Sequence, residues 1–300
     1  MAHVGGSVRV LILGGSGMVG HRLWLECRQR FDTFVTLRGP LRSYPGALLF
    51  EPHRVVDGAD LTDDATLHSA LRRVEPDVVV NAAGLVKQRP SGQEPLAAIA
   101  VNALLPHRLA ALCAPEGTRL VQLSTDCVFS GRCGNYSETD LPDPVDIYGR
   151  SKLLGEVAGP RQLTVRHSVI GRELSGRSGL LEWFLANRGG RVRGFTRAVF
   201  SGLTTLELAK TIVRILEEQP SLEGVWHVAG PAISKHDLLV SLRGAFGIPV
   251  EIEPDETTVV DRSLNDLPFR AATGFRRPTW DEMISALVAD RFPYDVLRGE

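Results

Sequence analysis

The glycine-rich segment LGGSGMVG most constrains the fold of this chain. It directly follows the apolar run VRVLIL (Val8 to Leu13), and a helical pattern that reaches about Arg30 begins where it ends. Its glycines Gly14, Gly17 and Gly20 let the backbone turn sharply and pass close to a pyrophosphate, which the N–H groups of the next helix would bind. A strand, a glycine turn and a helix in this order predict a dinucleotide-binding turn. A purely structural strand-to-helix turn is the alternative.

Short apolar runs alternate with helical patterns along the rest of the chain. The later predicted strands are Thr33 to Leu37, DVVV ending at Asn81, RLVQL leading into Ser124, and QLTVR ending at Arg166. The predicted helices span about Thr62 to Arg73, Glu94 to Cys113 and Ile147 to Val157. Strands that are apolar throughout and alternate with helices indicate a parallel sheet covered on both faces. We therefore predict an α/β fold, a doubly wound parallel sheet of the Rossmann type.

The last third of the chain changes character. Helical patterns at about Thr205 to Glu218, Ser234 to Phe246 and Thr279 to Ala289 are separated by the predicted strands GVWHVAG and VEIE. This pattern predicts a smaller C-terminal lobe that binds substrate, because ligand clefts form between lobes. We expect residues 1–166 and about 204–230 to form the cofactor-binding domain, and about 167–203 and 231–300 to form the smaller lobe.

Composition excludes several classes of partner. The 34 basic and 35 acidic residues leave a net charge of −1, which argues against binding to nucleic acid or anionic lipid by bulk charge. No apolar run approaches the roughly 18 residues of a membrane span. The four cysteines and eight histidines show no CxxC or HxxxH spacing, so we expect free thiols and no metal site. The sequence predicts a cytoplasmic protein without a nucleic-acid or membrane partner.

The end of the second predicted strand selects the cofactor. An acidic residue there would accept hydrogen bonds from the adenosine ribose, but the strand ends TLRG and places Arg38 in that region. A guanidinium suits a ribose phosphate, so we expect NADPH, with NADH as a second cofactor. The other expected cofactor contacts lie between the glycines and in two later loops: Met18, Val19, Asp60, Leu61, Asn81, Ala82, Ala83 and Gly84. Ordinary turn chemistry would explain the loop residues equally well.

The segment YGRSK predicts a catalytic site. Tyr148 and Lys152 stand four residues apart and share one face of a helix. A free tyrosine has a pKa of about 10, and a lysine charge beside it would lower that pKa toward neutrality. Ser124, Thr125 and Asp126 follow the fifth predicted strand, where open α/β sheets place their ligands. An exposed helix face is the alternative for the tyrosine and lysine alone.

Together, the motifs GGSGMVG, NAAG, STDCVFSG, YGRSKLLGE and VRHSVIG resemble those of the extended short-chain dehydrogenase/reductases, and within them the dTDP-4-dehydrorhamnose reductase family. The later segments SGLTTLELA and GVWHVAG are also similar, so the resemblance covers nearly the whole chain. It implies that Thr125, Tyr148 and Lys152 are catalytic, with Ser124 beside them. The implied reaction is hydride delivery to the keto carbon of a nucleotide-linked 4-keto-6-deoxyhexose. Tyr148 would protonate the alkoxide, Thr125 would hold the carbonyl, and Lys152 would bind the nicotinamide ribose.

Substrate contacts are expected from this site and from two cationic residues. Lys87 is one of only four lysines in the chain and stands in the loop that leaves the fourth strand. Arg193 belongs to an arginine cluster that would neutralise a diphosphate, although a solvated basic loop is an equal alternative. The full predicted set is Lys87, Ser124, Thr125, Asp126, Val128, Phe129, Tyr148 and Arg193.

Departures from the family pattern leave other functions open. Cys127 and Val169 stand where relatives often have aromatic residues, which puts the identity of the sugar nucleotide in doubt. A dehydratase would need an acidic residue at Cys127, and an epimerase usually retains NAD, so these alternatives are weaker. A third alternative is a non-catalytic regulatory subunit that binds NADP. A homodimer is a further option that the sequence does not decide.

Overall fold

A parallel sheet forms the centre of the computed structural model, which describes residues 7–44, 47–86 and 92–298. The strands, in chain order, are β1 (Arg9–Leu13), β2 (Asp32–Thr36), β3 (Val55–Val56), β4 (Val78–Asn81), β5 (Arg119–Leu123), β6 (Gln162–Arg166), β7 (Val169–Ile170), β8 (Arg191–Phe195), β9 (Ala198–Phe200), β10 (Leu203–Thr204), β11 (Gly224–His227), β12 (Ile233–Ser234), β13 (Glu251–Asp255) and β14 (Val260–Asp261). The central sheet has the spatial order β11-β6-β5-β4-β1-β2-β3. All of its neighbouring strands pair in parallel, which confirms the predicted doubly wound α/β class.

Helices cover both faces of this sheet. In chain order they are α1 (Gly20–Cys27), α2 (Asp64–Val74), α3 (Pro95–Ala98), α4 (Leu105–Glu116), α5 (Ile147–Leu154), α6 (Leu180–Ala186), α7 (Thr205–Glu218), α8 (Lys235–Phe246), α9 (Leu267–Thr273), α10 (Trp280–Ala289) and α11 (Tyr294–Arg298). A π-helical turn, Ile99–Leu104, joins α3 to α4 without a break. The predicted helix at Thr205 to Glu218 coincides with α7, and most other predicted elements shift by only a few residues.

Alternate side chains of β1 pack into two separate apolar cores. Val10 and Ile12 belong to the apolar cluster on one face of the sheet, whereas Leu11 and Leu13 belong to the cluster on the other face. All four side chains are fully buried. Successive residues of a strand point to opposite faces, so a strand covered on both sides must be apolar throughout. This requirement explains why Val10 to Leu13 are all apolar and do not alternate with polar residues.

The helix Pro95–Glu116 is long and apolar enough to cross a membrane by length and composition, with a mean hydropathy of 1.6. The sequence analysis predicted a helix here but not this property, because Asn102 and a Pro-His-Arg segment interrupt the apolar run. In the fold, Leu105, Leu109 and Cys113 pack in a core cluster against the sheet. The apolar inner face of this helix therefore has a role in the core of the protein.

The last third adds short strands that the sequence did not predict. Strand β8 pairs in parallel with β13, and β9 lies between β12 and β14. The predicted GVWHVAG strand is β11, and it joins the edge of the central sheet beside β6. Strands of two or three residues leave no periodic signal, which explains why β7, β9, β10, β12 and β14 were missed. The assignment of chain segments to two lobes remains a prediction.

The C-terminal residues connect distant parts of the fold. Asp290, just after α10, forms an ion pair of 3.1 Å with Arg22 of α1. Tyr294 hydrogen-bonds His21 at 3.0 Å, and the other ring nitrogen of His21 lies 2.8 Å from the Gly17 carbonyl oxygen. Burial lowers the pKa of His21 to about 4, so this imidazole is neutral. The short helix α11 thereby contacts the residues directly behind the glycine turn.

Candidate active site

The glycine turn lies against the loop that follows β4. Gly14 has a φ of +81°, and a Cβ placed on it would lie 2.8 Å from the Ala83 Cα. A Cβ on Gly20 would collide with the Gly14 carbonyl oxygen. Neither position therefore accepts a larger residue, and two of the predicted cofactor segments are in direct contact. A cradle of bare backbone at the start of α1 fits a dinucleotide pyrophosphate.

Two other predicted cofactor residues lie beyond the end of β2. The pKa of Asp60 is lowered, mainly because its carboxylate accepts hydrogen bonds from the hydroxyl and the N–H of Thr62. The charge of Arg38, which is exposed, contributes to the same decrease. Asp60 and Arg38 are therefore neighbours at one rim. Leu61 is only partly buried and packs against the core cluster that contains α2. Met18 packs against Gly179, which places the glycine turn next to the segment that precedes α6.

The Asn81 side chain holds the loop after β4 through hydrogen bonds. Its side chain is fully buried, donates to Gln122 Oε1 at 2.7 Å and accepts from the Ala83 N–H at 3.2 Å. These bonds hold Ala82 and Ala83 in place, and a cofactor contact of Asn81 stays a prediction. A Cβ on Gly84 would lie 4.0 Å from the Lys152 Nζ. The loop therefore passes directly beside the predicted catalytic lysine.

The structure brings the three predicted catalytic residues together. Helix α5 begins where Asp146 accepts a hydrogen bond of 2.8 Å from the Gly149 N–H, and this cap fixes the direction of Tyr148 and Lys152. The Tyr148 side chain lies beside Thr125, which follows β5, close enough for Thr125 to lower the pKa of its phenol. The Lys152 Nζ donates to the Leu123 carbonyl oxygen at 2.5 Å. Both helix residues thus contact the carboxyl end of β5.

Burial controls the protonation of this site. It raises the pKa of Tyr148, with Cys127 and Asp126 acting in the same direction, and the Thr125 side chain only partly opposes it. The predicted decrease of this pKa is therefore wrong, because loss of water around the phenolate and the neighbouring Cys127 and Asp126 all raise it. Burial also lowers the pKa of Lys152 to about 8, against the opposing influence of Glu156.

A buried network beside the triad was missed by the sequence reasoning. The Ser124 hydroxyl donates to Glu156 Oε1 at 2.6 Å. Arg166 donates to both carboxylate oxygens of Glu156, at 2.8 and 2.7 Å. The third nitrogen of that guanidinium lies 3.3 Å from the ring of His227, whose pKa is lowered to about 4 by burial. The spacing of Tyr148, Lys152 and Glu156, four residues apart each time, was the signal that could have found it.

Three predicted substrate residues lie elsewhere. Val128 and Phe129 are fully buried in a core cluster, and the Phe129 ring stacks on Tyr136 with centroids 4.2 Å apart. We correct their assignment: these side chains stabilise the loop after β5 and have no surface for a ligand. Arg193 on β8 is 68% exposed and forms an ion pair with Asp255, so its contacts belong to the β8–β13 pair. Lys87 lies outside the described residues.

Asp126 remains part of the site. It is buried, its N–H donates to the His167 carbonyl oxygen at 3.1 Å, and its carboxylate accepts from the Thr125 hydroxyl at 3.2 Å. These bonds tie the loop after β5 to the segment after β6. In the part of the chain that the structure describes, the four cysteines form no disulfide, and no three side chains cluster as metal ligands.

Comparison with known families identifies this arrangement. Residues 8–290 match the model of the RmlD substrate binding domain family. The chain belongs to this family. The match extends over both the glycine turn and the Tyr148–Lys152 segment, and it confirms the predicted relationship to extended short-chain dehydrogenase/reductases.

Individual relatives vary in how much of them the chain covers. It is 36% identical to the dTDP-4-dehydrorhamnose reductase of Streptomyces griseus over 152 residues, which is 50% of this chain and 44% of that protein. It is 32% identical to a probable low-salt glycan biosynthesis reductase of Haloferax volcanii, over 73% of each chain. It is 27% identical to the methionine adenosyltransferase 2 subunit beta of Bos taurus, over 80% of this chain and 73% of that protein. The match to the Streptomyces enzyme thus spans less than half of that relative's length.

Solved structures agree with the fold. A hypothetical dTDP-4-dehydrorhamnose reductase from Sulfolobus tokodaii superposes with a TM-score of 0.77 at 27% identity, covering 91% of this chain and 98% of that one. The dTDP-4-dehydrorhamnose reductase of Bacillus anthracis, solved in complex with NADP, superposes with a TM-score of 0.78 at 20% identity. This superposition covers 94% of this chain and 98% of the Bacillus chain.

Proposed function

We propose that the chain is an oxidoreductase that uses NADPH to reduce the 4-keto group of a nucleotide-diphospho-4-keto-6-deoxyhexose. The observation that carries the proposal is the position of Thr125, Tyr148 and Lys152 together at the carboxyl end of β5, with Lys152 buried beside the loop of Gly84. This geometry supplies a carbonyl-binding hydroxyl, a proton donor and a cation at the carboxyl end of the central sheet. The family match and the dTDP-4-dehydrorhamnose reductases among the relatives support the choice of substrate class.

The residues of the site divide the reaction between them. Bound reduced nicotinamide would supply the hydride. Because the raised pKa of Tyr148 keeps its phenol protonated at neutral pH, Tyr148 can donate a proton to the alkoxide that forms from the keto oxygen. The Thr125 hydroxyl holds that same oxygen, and the Lys152 ammonium binds the nicotinamide ribose. Thr125 and Lys152 are buried, whereas Tyr148 is partly exposed.

The cofactor-binding residues favour NADPH. The backbone cradle at Gly14 and Gly20 fits the pyrophosphate, and Arg38 stands exposed beyond β2, where a 2′-phosphate would lie. The presence of NADP in the Bacillus anthracis structure supports the same cofactor. NADH remains a second cofactor, because the other contacts of the cradle do not distinguish the two. A cytoplasmic location, the absence of a membrane or nucleic-acid partner, and a homodimer stay predictions.

A non-catalytic role is the second candidate, because one relative over 80% of the chain is a subunit beta of methionine adenosyltransferase 2. The test is loss of reduced-nicotinamide absorbance with NADPH and then NADH, against dTDP-, UDP- and GDP-linked 4-keto-6-deoxyhexoses. Turnover that prefers NADPH with one member supports the reductase. Tight NADPH binding without oxidation of any member supports a regulatory subunit. Interconversion of sugars with tightly retained nicotinamide, and no net oxidation, supports an epimerase.

Replacing Arg38 with alanine tests the cofactor assignment. We expect the Kd for NADPH to rise by about tenfold, since a charge-assisted hydrogen bond to a phosphate contributes about 1.5–3 kcal/mol and Arg38 is exposed. The Kd for NADH should stay unchanged. Fluorescence titration of both nucleotides measures the difference, with Arg72→Ala, an exposed arginine on α2, as control. An equal loss for both nucleotides would contradict a 2′-phosphate contact.

A further inference from the structure

The last residues of the YGRSKLLGE segment contact the end of β5 at two successive positions. Lys152 donates to the carbonyl oxygen of Leu123, and Glu156 accepts from the hydroxyl of Ser124, the next residue. A Cβ on Gly155 would collide with the Asn102 carbonyl oxygen of the π-helical turn, so this close approach allows only glycine there. The ammonium and the carboxylate therefore both lie against the same two-residue stretch.

Glu156 is held rigidly in this position. Its side chain is 8% exposed, and Arg166 binds both of its oxygens through a bidentate pair. The Arg166 guanidinium lies 5.3 Å from the centroid of the Phe129 ring, which is itself fully buried. Three donors, from Ser124 and Arg166, therefore fix the location of this carboxylate.

We infer that Glu156 is a positioning residue for the reductase site: its carboxylate fixes the Ser124 hydroxyl beside Thr125, and it lies with the Lys152 side chain against the same end of β5. The inference rests on the proposed function, because that function gives Lys152 the nicotinamide ribose as its partner. A buried lysine loses its charge easily, and a neutral amine would bind the ribose hydroxyls with fewer donors. The conformation of β5 and the protonation of the lysine would thus depend on one carboxylate.

The other titratable groups near Lys152 do not replace this carboxylate. Tyr148 on the same helix is neutral because burial raises its pKa. His167, after β6, is also neutral, since burial and the Lys152 charge lower its pKa to about 3. Arg166 at the end of β6 is already paired with Glu156. Burial lowers the pKa of Lys152 to about 8, and Glu156 is the charge that opposes this decrease.

The chain offers a direct test because it contains only four lysines. Labelling lysine with 15N and 13C allows the Nζ of Lys152 to be assigned by a Lys152→Arg variant and its pKa to be measured by NMR without cofactor. We expect Glu156→Gln to lower this pKa by about 1 unit, and Glu156→Asp, which retains the charge, to lower it less. Glu116→Gln, an exposed glutamate at the end of α4, should leave it unchanged.

Binding measurements then separate this inference from the proposed function. The Kd for NADPH should rise with pH in every variant, and the rise should begin at lower pH in Glu156→Gln than in the native protein. If Glu156→Gln does not fold, Glu156→Asp supplies the test, and a smaller decrease in the Lys152 pKa is then the expected result. An unchanged Lys152 pKa in the folded variant would overturn the inference. Absence of NADPH binding to the native protein would instead overturn the proposed function.

Discussion

The Tyr148→Phe variant is expected to reduce kcat for keto-sugar reduction by about 10³-fold, within the range that a single proton donor contributes. The physical reason is that phenylalanine keeps the ring of Tyr148 but removes the hydroxyl that would donate the proton to the alkoxide. The Kd for NADPH should change by less than about twofold, since the tyrosine ring and Lys152 remain. Single-turnover absorbance with the best member of the sugar panel measures the rate.

Tyr136→Phe is the matched control for this loss. Its hydroxyl accepts a hydrogen bond from the Cys133 N–H at 3.1 Å, whereas its ring stacks on Phe129. The variant therefore removes a buried tyrosine hydroxyl close to the site without removing the proton donor. We expect a small loss of stability and nearly native kcat. A Tyr148→Phe enzyme that keeps more than a tenth of the native rate would rule out Tyr148 as the proton donor.

The fold could be predicted from the sequence wherever a local pattern was strong. The glycine turn, the apolar β1 and β4, and helix α7 with its buried stripe all leave signals within one element. The short strands of the last third leave none, because two or three residues cannot show a period. Helix α11 was missed for a different reason: its partners, His21 and Glu182, lie more than 100 residues away in the chain.

In the candidate site too, the features that a local motif specifies were predicted, and those that depend on burial were not. Tyr148, Lys152 and Thr125 were predicted because motif and spacing identify them. The direction of the Tyr148 pKa could not be predicted, because it depends on how much water the folded site excludes. The same holds for Phe129, whose neighbours in the motif suggested a ligand surface but whose ring fills the core. Residue identity indicates chemistry, whereas burial determines which atoms are available for it.

Breaking the buried cluster around Glu182 is expected to produce the largest loss of stability. The Glu182 side chain on α6 is 3% exposed and accepts from Arg172 at 2.6 Å and from both terminal nitrogens of Arg298 at 2.7 and 2.9 Å. It also accepts from the Glu173 N–H at 3.0 Å. Removing one partner of a buried ion pair leaves an uncompensated charge, which costs about 3–5 kcal/mol. Glu182→Gln should lower the free energy of unfolding in urea by that amount.

The control for this prediction is Glu218→Gln at the end of α7. Glu218 is 50% exposed and pairs with Arg214 one turn earlier, so its loss should cost no more than about 0.5 kcal/mol. Because Arg298 and Tyr294 belong to the same short helix, Glu182→Gln should also speed amide hydrogen exchange in α11. Equal destabilisation by both variants would show that burial of Glu182 has no special weight.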